Sequence, residues 1–152
     1  MTRKPQKNMR RRSREFALQG LYQWQLTAQD PTIIAAELAE VEGFDKSDVA
    51  YFRTLLNGAI DHAQELEHVI APSLDRKFAE LSPVERGILL LAGYEMLREV
   101  EVPYRVVINE AVELAKTYGG TDGYKYVNGV LDKLAPKLRA IEVNAERAGK
   151  ES

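Results

Sequence analysis

Apolar side chains recur along this chain at the three- and four-residue spacing of amphipathic helices, and that spacing limits its fold more than any other feature. In the first periodic segment, Ala17, Leu21 and Trp24 share one helical face. The pattern stops before Asp30-Pro31, a pair typical of a helix N-cap followed by proline in the first turn. No segment shows a convincing strand alternation, so the sequence predicts an all-α fold.

Two further helices are predicted before residue 74. The second begins at Asp30 and stops at Gly43, a residue type common just after helix ends. The third is long, and Pro72 marks its end. Its buried face is predicted to consist of Phe52, Leu55, Leu56, Ala59, Ala63, Leu66 and Ile70. Because this spacing is unbroken, we expect one continuous helix.

The clearest helix start lies in the second half of the chain. Ser82-Pro83-Val84-Glu85 combines an N-cap serine, proline at the first helical position and glutamate at the third, which is a capping box. The following residues 88–92 are apolar on nearly every side of a helix. We therefore predict that this helix is the buried centre of its half of the protein.

Two more amphipathic helices are predicted after it. The first ends at Gly119, and the second, with Asp122 expected as its cap, includes Asn128-Gly129. An Asn-Gly pair is typical of a hairpin turn, but its neighbours here keep helical spacing. We therefore expect Gly129 to lie inside the last helix, at a close contact with another helix.

These elements predict two helical subdomains joined by a connector. The boundaries expected from the pattern are a flexible basic arm at 1–9, an N-terminal subdomain at 10–72, a connector at 73–81, a C-terminal subdomain at 82–143 and a frayed tail at 144–152.

Charge is distributed very unevenly along the chain. The first 14 residues contain seven basic residues and no acid, whereas the other 138 carry 14 basic and 23 acidic side chains. The acidic body disfavours general association with polyanions, while the basic end permits it at one place. The densest part of that end is Arg10-Arg11-Arg12-Ser13-Arg14, which we expect at the start of the first helix.

Arginines at a helix N-terminus oppose the helix dipole, and a polyanion could compensate because arginine makes forked hydrogen bonds to phosphate. This favours nucleic-acid binding by Arg10, Arg11, Arg12 and Arg14. Two other interpretations remain open, a disordered solubilising tail and a targeting segment, since transit peptides are also rich in arginine and poor in acids.

A second cluster of aromatic and basic residues surrounds the glycine-rich segment 119–123. Single-stranded RNA is held by bases stacked on aromatic rings, with cationic side chains along the backbone. Alternatively, these tyrosines only cover the core with their hydroxyls in water, most readily at Tyr126. The cluster contains Lys116, Tyr118, Tyr124, Lys125 and Tyr126, and Tyr22 could join it.

Several classes of function find no support in the sequence. Without cysteine the chain has neither disulfides nor thiolate metal sites, and His62 and His68 lack the spacing of metal ligands on one helical face. No phosphate loop, dinucleotide fingerprint or nucleophile elbow is present. No apolar stretch is long enough for a membrane span or a secretory signal. We therefore expect a cytoplasmic protein with no catalytic site, no metal and no cofactor.

Four groups of motifs within residues 10 to 138 resemble the NusB family. The two C-terminal groups are the most specific. The groups are Arg12-Ser13-Arg14 with Ala17, Gln19 and Leu21-Tyr22; Leu81-Ser82-Pro83-Val84-Glu85-Arg86; Val102-Pro103-Tyr104 with Val107-Ile108-Asn109-Glu110-Ala111; and Lys125-Tyr126-Val127-Asn128-Gly129-Val130-Leu131-Asp132.

The resemblance implies a NusB-like helical bundle of two packed three-helix subdomains that acts in transcription antitermination. Its partners would be boxA-type single-stranded RNA, the ribosomal small-subunit protein NusE and the transcription elongation complex. By position, RNA would be bound by Arg10, Arg11, Arg12, Arg14, Tyr118, Asp122 and Lys125, with Tyr124 as a further candidate. Tyr22 and Glu85 would meet NusE. This chain departs from the family at two places. It has Gly123-Tyr124 where the family often has a small polar residue and a histidine, and Tyr126 where the family often has phenylalanine.

Two other functions stay open at this point, an accessory domain that assists rRNA modification or processing, and a purely protein-binding helical scaffold. A homodimer is also possible, because a partly apolar helical face could close one.

Overall fold

The computed structural model describes residues 3–151, with side chains from 6 to 150, and this part contains helices and no strand. The helices are α1 Arg3–Thr27, α2 Pro31–Leu38, α3 Val49–Asp61, α4 Ala63–Ile70, α5 Pro83–Arg98, α6 Tyr104–Tyr118, α7 Gly123–Leu138 and α8 Ala140–Glu151. Short 3₁₀ turns occur at Phe44–Lys46, Ala71–Ser73 and Phe78–Glu80. The predicted all-α class is confirmed. The chain divides into two compact units, Met1–Ala63 and Gln64–Ser152.

In the first unit, α1 packs on α2 and α3 through fully buried side chains that include Leu21, Ile34 and Phe52. Close packing of α1 is possible because Gly20 has no side chain: a Cβ there would lie 2.8 Å from Leu56 Cδ1. Phe44 makes edge-to-face contacts with Phe52 at 5.1 Å and with Phe16 at 5.2 Å between ring centroids. This ring stack closes the core beside the 3₁₀ turn.

In the second unit, α5 is the buried centre, as the sequence predicts. Every residue from Gly87 to Met96 is buried. A helix that is apolar all round must be covered on several sides, and α6 and α7 both pack against it. Its end is held by Arg139, whose guanidinium donates to the backbone oxygens of Met96 at 2.7 Å, Glu99 at 3.1 Å and Glu95 at 3.3 Å.

The predicted caps are largely confirmed. The Ser82 hydroxyl accepts from Glu85 N at 3.1 Å, while the Glu85 carboxylate accepts from Ser82 N, so α5 begins with a complete capping box. Asp30 caps α2 by accepting from Thr32 N at 2.8 Å. Asp122 occupies the N-cap position of α7, but its side chain accepts no backbone hydrogen bond there.

Helix α1 begins earlier than predicted. It starts at Arg3, inside the segment 1–9 that was expected to form a flexible arm. Pro5 falls in the first turn, where its missing N–H removes no intrahelical bond, and lysine and arginine are good helix formers. Arg10 and Arg14 therefore lie roughly two to three turns inside the helix. The premise that they crowd its N-terminus is wrong.

The predicted continuous third helix is also wrong, because His62 separates α3 from α4. The Gly58 carbonyl lies 3.0 Å from His62 N, which donates to it, and 2.9 Å from His62 Nδ1. His62 is at φ −109° and ψ 17°, outside helical geometry, although its backbone N–H still makes a helix-type bond to Gly58. The two units divide one residue later, after Ala63, and not in the predicted connector 73–81.

Two predictions near the C-terminus are corrected as well. Gly129 lies inside α7 as expected, but it is exposed, and a Cβ there would meet no atom within 4 Å, so it makes no close helix contact. Residues 144–151, expected to fray, belong to α8. This helix is held to the start of α6, where Glu146 Oε1 accepts from Arg105 at 2.6 Å and Glu142 Oε2 accepts from Tyr104 N at 2.8 Å.

We predict that Ser82→Ala lowers the free energy of unfolding by about 0.5–2 kcal/mol, because the first turn of α5 loses its cap. Urea denaturation measures this change. Thr54→Ala, at an exposed position within α3, is the control and should change stability little. Equal stability of Ser82→Ala and the wild-type chain would contradict the role of this cap.

We also predict a specific acid sensitivity of α8. The hydrogen bond from Arg105, with a smaller contribution from Tyr104, lowers the pKa of Glu146 from 4.5 to about 2. Because the folded-state pKa is depressed, the stabilisation is present above pH 4.5 and is lost as the pH falls towards 2. Thermal melts over this range should fall less steeply for Glu146→Gln than for the wild type. Glu101→Gln, at an exposed position, should follow the wild type.

Candidate nucleic-acid interface

The four arginines of α1 have different environments. Arg11 and Arg12 are exposed, whereas Arg10 is half-buried and Arg14 is only 4% exposed. A buried guanidinium cannot reach a phosphate strand without leaving its site. Arg11 and Arg12 are therefore the two members of the predicted cluster whose side chains are exposed.

The inner pair of arginines meets at one aromatic ring. Arg10 Cζ lies 4.1 Å and Arg14 Cζ 5.6 Å from the ring centroid of Tyr51, a buried residue of α3. Both distances are within the range of cation–π attraction. Arg10 Nε also lies 3.9 Å from Asp48 Oδ2, and it is a buried nitrogen without a hydrogen-bond partner among the described residues.

Asp48 fixes this arrangement to the start of α3. Its side chain caps the helix by accepting from Tyr51 N at 3.1 Å. Its backbone oxygen accepts from the hydroxyl of Ser13, which is fully buried, at 2.7 Å. Ser13 thus ties the arginine-rich segment of α1 to α3. Sequence reasoning missed Tyr51 and Asp48, although an aspartate just before a periodic segment is a recognisable cap signal.

The second predicted cluster lies where α6 ends and α7 begins, in the other unit. Tyr118 is 41% exposed at the last position of α6. Gly119 follows at the C-cap, where a Cβ would lie 2.7 Å from Ala115 O, so the turn requires a glycine. At the start of α7, Lys125 Nζ lies 3.5 Å from Asp122 Oδ1, and both side chains are mostly exposed.

Tyr124 is the aromatic centre of this cluster. Its half-buried ring has Lys116 Nζ at 5.4 Å and Lys125 Nζ at 5.9 Å from the centroid. The structure therefore brings together Lys116, Tyr124 and Lys125 as predicted. The result is an aromatic ring beside two ammonium groups, a combination suited to a base with its adjoining phosphates.

Tyr126 has an environment that the sequence analysis did not predict. Arg76, from the segment between α4 and α5, lies over its ring with Cζ 4.4 Å from the centroid. Asp75 accepts from Arg76 at 2.7 and 3.2 Å, and this contact lowers the pKa of Asp75. Burial, followed by the nearby Asp75 carboxylate, raises the pKa of Tyr126. The half-buried Tyr126 therefore lies beside the ion pair of Arg76 and Asp75.

The two predicted protein contacts lie in different units. Tyr22, on α1, is 42% exposed and available at the surface. Glu85 is half-buried, and its Oε1 accepts from the Ser82 hydroxyl at 3.0 Å within the capping box. The Glu85 carboxylate therefore stabilises the start of α5.

Other kinds of site find no support in the described residues. Among them, no group of three or more histidine, cysteine, aspartate or glutamate side chains could hold a metal ion. No helix in residues 3–151 combines the length and apolar character needed to cross a membrane.

Comparison with known proteins gives a consistent family match. The model of the NusB family matches residues 11–136. The transcription antitermination protein NusB of Ralstonia nicotianae is 59% identical over 143 residues, which are 94% of this chain and 92% of that protein. The protein of the same name from Nitrosomonas europaea is 58% identical over 137 residues, which are 90% of this chain and 82% of that protein.

Two solved structures that contain NusB are similar in fold to this chain. NusB of T. maritima superimposes with a TM-score of 0.76 at 34% identity, covering 83% of this chain and 89% of that chain. A crystal structure of antitermination factors NusB and NusE in complex with dsRNA gives a TM-score of 0.75 at 28% identity, covering 84% of this chain and 96% of that chain.

We predict that the inner and outer arginines differ in their effect on stability. Arg14→Ala should lower the free energy of unfolding by about 1–3 kcal/mol, because a buried side chain and its contact with Tyr51 are lost. Arg12→Ala should change it by less than about 0.5 kcal/mol, as expected for an exposed position. Urea denaturation of the two variants side by side measures the difference. Equal effects would show that the burial of Arg14 contributes nothing.

Proposed function

The chain belongs to the NusB family of transcription antitermination proteins, and on this premise we propose that it binds boxA-type single-stranded RNA together with NusE during transcription. In this role it is an adaptor and not an enzyme: it joins an RNA element and a protein partner on the elongation complex, within the bacterial cytoplasm. A similar protein, NusB, has been crystallised in complex with NusE and dsRNA.

The observation that carries the proposal is the presentation of Arg11 and Arg12 on a helix held from behind. Both side chains are exposed, while Ser13 and Arg14, next to them in sequence, are buried against α3. Anchoring the backbone in this way reduces the conformational freedom that binding must remove. Guanidinium groups that neutralise phosphates also release counterions, which favours association at low salt. Arg10, being half-buried, adds charge at the edge of this surface.

The α6–α7 cluster supports the aromatic part of RNA binding. Tyr118 and Tyr124 offer rings for unpaired bases, and Lys125 offers charge for the backbone between them. Asp122, paired with Lys125 at 3.5 Å, orients that lysine when RNA is absent. Its carboxylate can also accept a hydrogen bond from the edge of a base.

Tyr22 supports the contact with NusE. Tyrosine combines a large apolar face with a polar hydroxyl, which suits the centre of a protein interface. Glu85 contributes through its position, since the capping box fixes its carboxylate at the first turn of α5.

We predict that the double variant Arg11→Ala/Arg12→Ala binds boxA-type RNA more weakly and with a flatter dependence on salt. If each arginine neutralises one phosphate of a single strand, the slope of log K against log salt should fall in magnitude by about 1.4. Fluorescence anisotropy titrations at several salt concentrations measure this slope. The fold should persist, because both side chains are exposed.

The matched control is Lys46→Ala/Arg53→Ala, which removes two exposed cations from the same unit outside the proposed surface. It should bind RNA with the wild-type slope. A scrambled RNA of the same length tests sequence preference. Equal binding of both RNAs by the wild type would overturn the antitermination role, and failure to bind either would favour a purely protein-binding scaffold.

A further inference from the structure

The junction between α7 and α8 is a single residue. Arg139 separates Leu138, the last residue of α7, from Ala140, the first of α8, and it has φ −130° and ψ 45°. Helix-type hydrogen bonds nevertheless continue on both sides of it: Arg139 N donates to Ala135 O at 2.7 Å, and Arg139 O accepts from Val143 N at 2.9 Å. A rotation of roughly 90° about ψ, with a smaller one about φ, would give Arg139 helical angles. Helices α7 and α8 would then form one continuous helix.

Helix α8 is attached to the start of α6 by two carboxylates. Glu142 Oε2 accepts from Tyr104 N at 2.8 Å, and Glu146 Oε1 accepts from Arg105 at 2.6 Å. Val143, between the two carboxylates in sequence, is buried. A groove of about 230 Å³ remains between α8 and the neighbouring ends of α6 and α7, so α8 is not closely packed along its whole length. Few contacts therefore have to break for α8 to leave its place.

The α8 of a second copy of this chain could make the same contacts. It would present Glu142, Val143 and Glu146 to the same groups on α6, so docking it restores what the departure of the first α8 removes. The cost that remains is the change at Arg139 and the freedom lost when two chains associate. The Arg139 guanidinium opposes opening, because it donates to the backbone oxygen of Met96 at the end of α5. The closed form is therefore the resting state of a single chain.

Ile141 is an apolar side chain that the closed form leaves in water. It is 89% exposed, and it lies two residues after the junction. In a symmetric pair that exchanges α8, the two junctions pass each other near the twofold axis, where residues meet their own copies. Two isoleucines there would bury apolar surface. The exchange therefore gains an apolar contact that the single chain lacks.

Helix α8 also lies apart from the residues assigned to RNA binding. The match to the family model ends at residue 136, before α8 begins at Ala140. Tyr124 is at the start of α7 and Arg139 follows its end, a separation of roughly 20 Å along a helix. An exchange of α8 at this end of α7 therefore leaves the α6–α7 cluster accessible.

We propose that two copies of this chain pair by exchanging α8. In each copy Arg139 adopts helical angles, and the α8 of one copy docks on the start of α6 of the other through Glu142, Val143 and Glu146. The product is a closed twofold dimer that carries two copies of each RNA-binding cluster. This inference goes beyond the proposed function and does not depend on it.

The test is a charge reversal divided between two chains. Arg105→Glu places a carboxylate opposite Glu146 of its own α8, and Glu146→Arg places a guanidinium opposite its own Arg105. In an exchanged pair of one chain of each kind, opposite charges meet at both sites. An exposed ion pair changes an equilibrium by up to about fivefold, so two restored pairs should favour the mixed dimer over either variant's own dimer by about thirtyfold. Native mass spectrometry and light scattering after prolonged incubation of the mixture measure this ratio.

Both variants should fold, because the two side chains are 52% and 30% exposed. The reversal of both charges within one chain is the first control, and it should pair no more than the wild type. The matched control mixture is Arg98→Glu with Glu65→Arg, which reverses an exposed ion pair between α5 and α4 and should give no mixed dimer.

A mixed dimer formed only by the Arg105 and Glu146 variants would establish the exchange. A mixture as monomeric as each variant alone, or an equal yield of mixed dimer in the Arg98 and Glu65 mixture, would overturn it. Neither result bears on RNA binding, so the proposed function would stand or fall separately.

Discussion

The hydrogen bond of 2.7 Å from the hydroxyl of the buried Ser13 to the Asp48 backbone oxygen ties the basic helix to the start of α3. Around it, Tyr51 receives Arg10 and Arg14 on its ring, while Asp48 caps α3. The arginines of α1 repel one another, and these specific contacts add to the burial of its apolar side chains, such as Leu21, in fixing the helix. These contacts leave Arg10 and Arg14 packed against Tyr51, while Arg11 and Arg12 are exposed.

Much of the fold could be predicted because its signals are local. The capping box at Ser82 and the apolar run after it predict a buried helix, and the structure confirms the cap and the burial. The failures also have physical causes. The start of α1 at Arg3 lies well before the first apolar repeat at Ala17, so periodicity does not reveal it, although lysine and arginine favour helix. The break at His62 is a local change of backbone angles that leaves the apolar spacing unbroken, so the sequence pattern does not reveal it.

The candidate site was predictable in composition but not in arrangement. Charge counting identified the arginines, and the tyrosines beside a glycine turn were recognisable. Burial of Arg14 and the place of Arg76 over Tyr126 come from contacts between residues far apart in sequence, which no periodicity encodes. For Gly129, sequence reasoning correctly placed it inside a helix but assigned its small size to helix packing. The structure shows open space there.

Arg139 connects two parts of the second unit that are far apart in the sequence. Its guanidinium donates to three carbonyl oxygens at the end of α5, and two of these, on Glu95 and Glu99, also accept backbone N–H groups from nearby residues. The Met96 carbonyl receives its donor from 43 residues downstream. The guanidinium thus joins the end of the central helix to the junction of α7 and α8, so the last two helices of the unit help to define where α5 stops.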